Sequence, residues 1–416
     1  MHSSCSALLS LLCLVIAGTA LLAGNHVYDA TLVNLNETLF LRRIGTPGSA
    51  DDGKQLTLSD LFKVGTASTK GDCSGRLADV EAHLKECFLL HEAVVKAYAG
   101  YKSDVALRVL WTMFMGMSFE QDGSMMNTMV ADIWKTIGER ISLVTQFLNG
   151  GGLVDRNPPG PPWLFCSDDY AKYVPFDQPV RDAKGDYLPV EKDKNHNPTD
   201  YKTLGDIFIN IYGPVTGFYV EQLKGYVFNE KGYKTLCGTS YGVTPKTQNP
   251  GDKPILNDEG DYIVSRPNRH VLLCPKTFEI KPPAAHTGPS LAQAVSYASY
   301  PSGDEKTDDP LDRFVPRSAT LYHELYHLTD HDGTTGDPWY PLTDIMKSST
   351  SKVSHTRQQV PNNPESFVMF AVAAYMYQNP PTTPSGEKPK GPVVFFVGGK
   401  PFPAAGFIAR SKKNSS

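Results

Sequence analysis

Apolar residues recur at three- and four-residue steps early in the patterned part of the chain. Leu77, Val80, Leu84, Cys87, His91, Val94 and Tyr98 form one such stripe. Met126, Val130, Ile133, Ile137, Ile141, Val144 and Leu148 form another. That period places each set on one face of an α-helix. The second stripe runs into Gly150-Gly151-Gly152, a strong helix terminator. Between the two, 105–119 is apolar enough for a buried third helix.

From 153 to 315 the pattern breaks up. Pro, Gly, Asp and Tyr become frequent, and short β-prone runs appear at 207–212 and 270–273. These predict short irregular strands joined by long loops, with 301–310 a solvated loop. Helical character returns at 316–331 and 364–378. From Pro380 the chain is rich in Pro and Lys and predicts a partly disordered tail, with one short apolar run at 393–397. The expected class is α+β: an N-terminal helical layer, a small irregular sheet, and later helices.

Composition excludes several functions. The 416 residues carry Lys+Arg 40 against Asp+Glu 44, a net charge of -4, so no basic excess points to nucleic acid. Gly 35 and Pro 32 show no triplet period, which excludes collagen. The single long apolar run, 7–22, suits the hydrophobic region of a signal peptide over 1–24, with a cleavage site near Gly18-Thr19-Ala20. An extension over 25–72 would follow, able to serve as a short pro-segment; Arg42-Arg43 is either a dibasic processing site or an exposed basic pair. Secretion makes glycosylation sequons at Asn36 and Asn414 meaningful, whereas Pro198 blocks the one at Asn197. It also predicts two disulfides and one unpaired thiol among Cys73, Cys87, Cys166, Cys237 and Cys274. Their pairing is open, with Cys73–Cys87 attractive because it closes a short loop.

The chemistry concentrates at His323-Glu324-Leu325-Tyr326-His327, an H-E-x-x-H sequence. On a helix the two imidazoles fall nearly in line with the carboxylate beside them, while Leu321, Leu325 and Leu328 gather on the opposite side. Two imidazoles and an adjacent carboxylate are what a zinc hydrolase needs. A third ligand is required. His331 lies eight residues from His323, about 12 Å along a straight helix, too far to share one ion. Asp337, beyond the turn at Asp332-Gly333, can return to the open side. A G-x-S-x-G sequence at 238–242 is followed by Pro245 and Pro250, so it cannot open the helix that a serine nucleophile elbow requires.

Gly333-Thr334-Thr335-Gly336-Asp337-Pro338-Trp339-Tyr340 fits G-T-x-x-D-x-x-Y. Following H-E-x-x-H, it resembles the aspzincin metallopeptidases, the deuterolysins and fungal lysine-specific metalloendopeptidases. Asn363-Pro364-Glu365-Ser366-Phe367-Val368-Met369-Phe370-Ala371 is similar to the family's N-A-D-x-x-x-x-F-A helix. The resemblance covers about 73–380, with motif force in 323–371, and leaves 381–416 as a tail.

The resemblance implies a zincin-like fold and a secreted, monomeric, zinc-dependent endopeptidase acting on protein or peptide substrates through a metal-activated water. It implies one Zn2+ per chain held by His323, His327 and Asp337, Glu324 as general base, and Tyr340 donating to the developing oxyanion. No nucleic-acid partner is expected, and no membrane association after signal removal. Two departures bear on this. Pro341 stands where the family has Gly after the tyrosine. Of two acidic residues that line the lysine pocket in the lysine-specific branch, Glu365 matches the first, but Val368 replaces the second. The alternative function is a secreted zincin-like binding protein without catalysis.

Overall fold

Both predicted stripes fold as helices: α1, Leu77–Gly100, and α3, Thr128–Gln146, with α2, Val105–Met115, between them. The computed structural model describes residues 55–153, 160–212, 216–229, 234–250, 254–256, 262–264, 268–279, 281 and 284–407. The apolar leader, Arg42-Arg43 and the sequons at Asn36 and Asn414 lie outside the described residues. Along α1 the stripe from Val80 to Tyr98 is buried, although Leu77 at its start is exposed. Asp104 caps α2 by accepting from the Ala106 and Leu107 amides, and Gly116, at φ 70°, ends the helix short of Phe119. The left-handed backbone there is one that only glycine adopts cheaply.

The run at 207–212 is not a strand. It belongs to α4, Leu204–Tyr212. The Asp206 carboxylate accepts from both the Thr203 amide and hydroxyl at 2.8 Å, and the Thr203 hydroxyl accepts from the Asp206 amide at 3.2 Å. This reciprocal cap nucleates a helix where β-branched isoleucines suggested extension. Leu204 and Phe208, four residues apart, then bury together against Val180, Tyr219 and Tyr226.

The longest further helices of the layer are α5, Ala319–Thr329; α6, Leu342–Ser349; and α7, Pro364–Gln378. Nearly every residue of α7 is buried, since it runs through the middle of the helical layer, where the Phe370 ring lies 3.7 Å from that of Trp111. A helix apolar on all sides has to occupy such a place.

Among the strands of the described residues are β1, Lys63–Val64; β2, Trp163–Phe165; β3, Ala171–Val174; β4, Thr216–Val220; β5, Gly225–Asn229; β6, Gly242–Val243; β7, Val271–Leu273; β8, Val393–Phe395; and β9, Pro401–Pro403. The main sheet has the order β1-β2-β7-β6. Its first three strands are parallel, and β6 is an antiparallel edge, with Leu273 opposite Gly242. Alternation divides the sheet's residues between two cores. Leu164, Val271 and Leu273 join the helical core, while Phe165 and Leu272 face a second cluster with Tyr170 and Phe218. That second cluster lies under the antiparallel sheet β3-β4-β5. The architecture is thus α+β with small sheets.

The disulfides join Cys73 to Cys166 and Cys237 to Cys274, leaving Cys87 free and buried. The local Cys73–Cys87 pairing is therefore wrong. Cys87 sits ten residues inside α1, about 15 Å along its axis, whereas bridged Cα atoms lie near 5.5 Å. The helical core also takes in residues outside 73–380. Leu58, Leu61 and Phe62 at one end, and Val393, Val394 and Phe395 at the other, belong to the helical core. The apolar run in the tail pairs with β9 as a hairpin. Among the described residues no helix is long and apolar enough to cross a membrane.

Candidate metal centre

Leu321, Leu325 and Leu328 are fully buried on one side of α5, which fixes the rotation of the helix. His323, Glu324 and His327 consequently project together on the other. After Thr329 the chain turns at Asp330 and returns through 333–337, bringing Asp337 to the two rings. Its Oδ1 lies 3.1 Å from Nε2 of His323 and 3.1 Å from Nε2 of His327. One donor atom from each of the three residues lies within 4.8 Å of the others.

The other nitrogen of each ring sets its tautomer. His323 Nδ1 is 2.9 Å from Oε2 of Glu365, an acceptor when ionised, so Nδ1 carries the hydrogen. His327 Nδ1 is 3.0 Å from the Thr335 hydroxyl, which itself donates to Oδ2 of Asp330 at 2.8 Å. Thr335 can therefore only accept from the ring. With both Nδ1 atoms protonated, both neutral rings aim an Nε2 lone pair at the same carboxylate oxygen. Lone pairs facing an anion repel; a cation or a proton has to lie between them. Ligands about 2.0–2.1 Å from a tetrahedral zinc are themselves roughly 3.3 Å apart, close to the separations here. Two imidazole nitrogens and a carboxylate oxygen also suit zinc chemically.

Without an ion, a proton takes that place between His323 and Asp337. Burial alone would discharge His323, yet Asp337 and Glu365 outweigh it and hold its pKa well above the ordinary value. Burial likewise works to raise Asp337, but the two histidines hold its carboxyl far below the usual range. For Glu365 burial is overcome by His286 and His323, which bring it down to about 2.

Glu324 is only 4% exposed. Its Oε2 accepts from the Thr244 hydroxyl at 2.7 Å. Burial raises its pKa, opposed by the two histidines and Thr244. A Cβ at Gly242 would stand 2.9 Å from Oε1 of Glu324, so the edge strand approaches this carboxylate as closely as only glycine permits. The ring of Tyr340 stacks on that of His323 with centroids 5.9 Å apart. Desolvation at its hydroxyl, then the hydrogen-bonded Asp337 carboxylate, push that phenol far up.

The returning loop is held from beneath. Arg140 on α3 donates to Oδ1 of Asp330 at 2.7 Å and to the Thr334 hydroxyl, and the Arg269 guanidinium donates to the Asp330 carbonyl. The Asn363 amide donates to the Trp339 carbonyl and the Ser366 hydroxyl, both at 3.0 Å. Asn363 occupies the N-cap position of α7 without accepting from the helix, so its side chain anchors the site loop. Pro341 begins α6, where its carbonyl accepts from the Asp344 and Ile345 amides at 2.9 and 3.1 Å.

Glu365 does not line a pocket for a substrate lysine. It is 1% exposed and engaged by His286 and His323, while Val368 packs in the core. His331 lies beyond the end of α5 and pairs with Asp332 at 3.2 Å. Ser240 follows a turn after Cys237 and leads into β6, not into a helix. Sequence reasoning missed Thr244, His286, Arg140 and Asp330. Asp330, just past the helix end, carried a faint signal; the others carried none.

No family model matches the chain, and no solved structure matches it. A stretch of 109 residues is 35% identical to the non-secreted LysM effector LysM17 of Penicillium expansum. That stretch is 25% of this chain and 14% of the relative, so the chain spans only a small part of that protein's length.

Proposed function

We propose that the chain is a secreted, zinc-dependent endopeptidase of zincin-like fold, with His323, His327 and Asp337 as metal ligands. The carrying observation is the convergence of two Nε2 lone pairs and one carboxylate oxygen, with both tautomers fixed from behind. Zinc held there would supply a Lewis acid that activates water and polarises a scissile carbonyl. Glu324, one residue from a ligand and raised by burial, takes the proton from the attacking water and returns it to the leaving amine. Thr244 holds one oxygen of that carboxylate and leaves the other for the proton. Tyr340, whose phenol keeps its proton at all working pH values, donates to the developing oxyanion. Two disulfides and the apolar leader support an extracellular location. With Glu365 and Val368 both enclosed, α7 offers no acidic pocket, and no lysine preference is proposed.

The test is casein digestion by the purified chain beside Glu324→Ala, with zinc content measured in both. Loss of roughly 100- to 10,000-fold in rate with zinc retained is expected. Equal activity in the two proteins excludes the mechanism. Zinc in both and activity in neither favours a binding protein on the same scaffold.

A further inference from the structure

Behind the ligand His323 stands a second histidine that the proposed chemistry does not use. His286 lies in the segment before α5, and its side chain is enclosed against α5 and α7. Its Nε2 is 3.1 and 3.0 Å from the two oxygens of Glu365, and its Nδ1 is 3.1 Å from the Thr320 hydroxyl. Thr320 lies one turn before His323 on the same helix. The backbone of His286 is left-handed, at φ 62°, which a residue bearing a Cβ adopts only when its surroundings insist.

We propose that His286 is a positioning residue for the metal site, acting on His323 through Glu365. This rests on the zinc reading above. The hydrogen bonds form a continuous chain whose two ends lie on one helix: Thr320 donates to His286 Nδ1, His286 Nε2–H donates to Glu365, and Glu365 accepts from His323 Nδ1–H. Every proton in it is accounted for. Glu365 has a flexible side chain, and a single bond to His323 would leave its carboxylate free to rotate. A second donor from His286, reaching both oxygens, fixes that plane and so the rotation of the His323 ring.

His286, His323 and Glu365 also lie close enough together to suggest a separate metal site. The hydrogen count argues against it. Here both nitrogens facing the carboxylate carry hydrogens, so the cluster is already satisfied, unlike the one at Asp337. The two ligand rings are thus steadied by independent chains, His327 by Thr335, Asp330 and Arg140, and His323 by Glu365 and His286.

The experiment measures zinc dissociation constants by chelator competition, and kcat and KM on a peptide, for wild type, His286→Ala and His286→Gln. Glutamine keeps an N–H donor near the position of Nε2. His286→Ala is expected to weaken zinc binding roughly 10- to 100-fold, and His286→Gln to recover most of that loss. At saturating zinc the alanine variant should lose kcat with KM nearly unchanged. Unaltered zinc affinity in folded His286→Ala overturns the positioning role alone. If that variant does not fold, His286→Leu, which keeps bulk without a donor, carries the test: a zinc-affinity loss that His286→Gln recovers supports the role, and wild-type affinity in His286→Leu overturns it. Wild-type protein that binds zinc no better than His323→Ala overturns the metallopeptidase reading, and this role with it.

Discussion

The Thr244 hydroxyl, from the segment leaving the edge strand, donates to Oε2 of Glu324 at 2.7 Å. It stabilises the charged carboxylate against the burial that raises it. Replacing Thr244 with Val removes that donor and keeps the shape. The Glu324 pKa should then rise, so the acid limb of the kcat/KM profile moves to higher pH. Profiles of the two proteins check this; an unmoved limb would mean that Glu324 is not the group titrating there.

The ion pair of Arg140 and Asp330 is almost wholly enclosed, at 7% and 1% side-chain exposure. Burial would raise Asp330, but Arg140 and the Thr335 donors prevail and keep it low. Asp330→Ala leaves a buried guanidinium without its carboxylate and releases Thr335. A loss of about 3–5 kcal/mol in folding stability is expected from urea unfolding, together with weaker zinc binding. Unchanged stability would show that the pair is not closed in solution.

His91 is fully buried between Tyr322 and Thr145, and burial lowers its pKa to about 3. His83 is lowered to about 4, first by burial and then by Arg317. Both fold neutral, whereas the unfolded imidazoles take up protons below about pH 6.5. Stability from these groups is therefore complete above that pH and declines as pH falls toward 4. The slope is about 1.4 kcal/mol per pH unit for each histidine. In His91→Gln the slope between pH 4.5 and 6 should drop by about that amount, measured by urea midpoints. An identical slope would place the acid sensitivity elsewhere.

Asp337 and the H-E-x-x-H helix were legible in the chain because their geometry is set over a few residues. A four-residue step aligns His323 with His327 whatever surrounds them, and the turn at Gly333 brings the acid back within ten residues. The stripes of α1 and α3 were legible for the same reason, since a helix repeats its own short-range hydrogen bond. Even α4 was written locally, in the Thr203–Asp206 cap, but β-branched side chains masked it.

The tertiary structure alone decided the partners that meet across long stretches of chain. Thr244 reaches Glu324 over 80 residues, His286 reaches Glu365 over 79, and Cys73 finds Cys166 over 93. Nothing within a turn or a strand specifies such meetings. They follow from α7 filling the middle of the core and β6 closing the sheet edge over α5. That packing turned Glu365 from a candidate substrate contact into the support of the His323 ring.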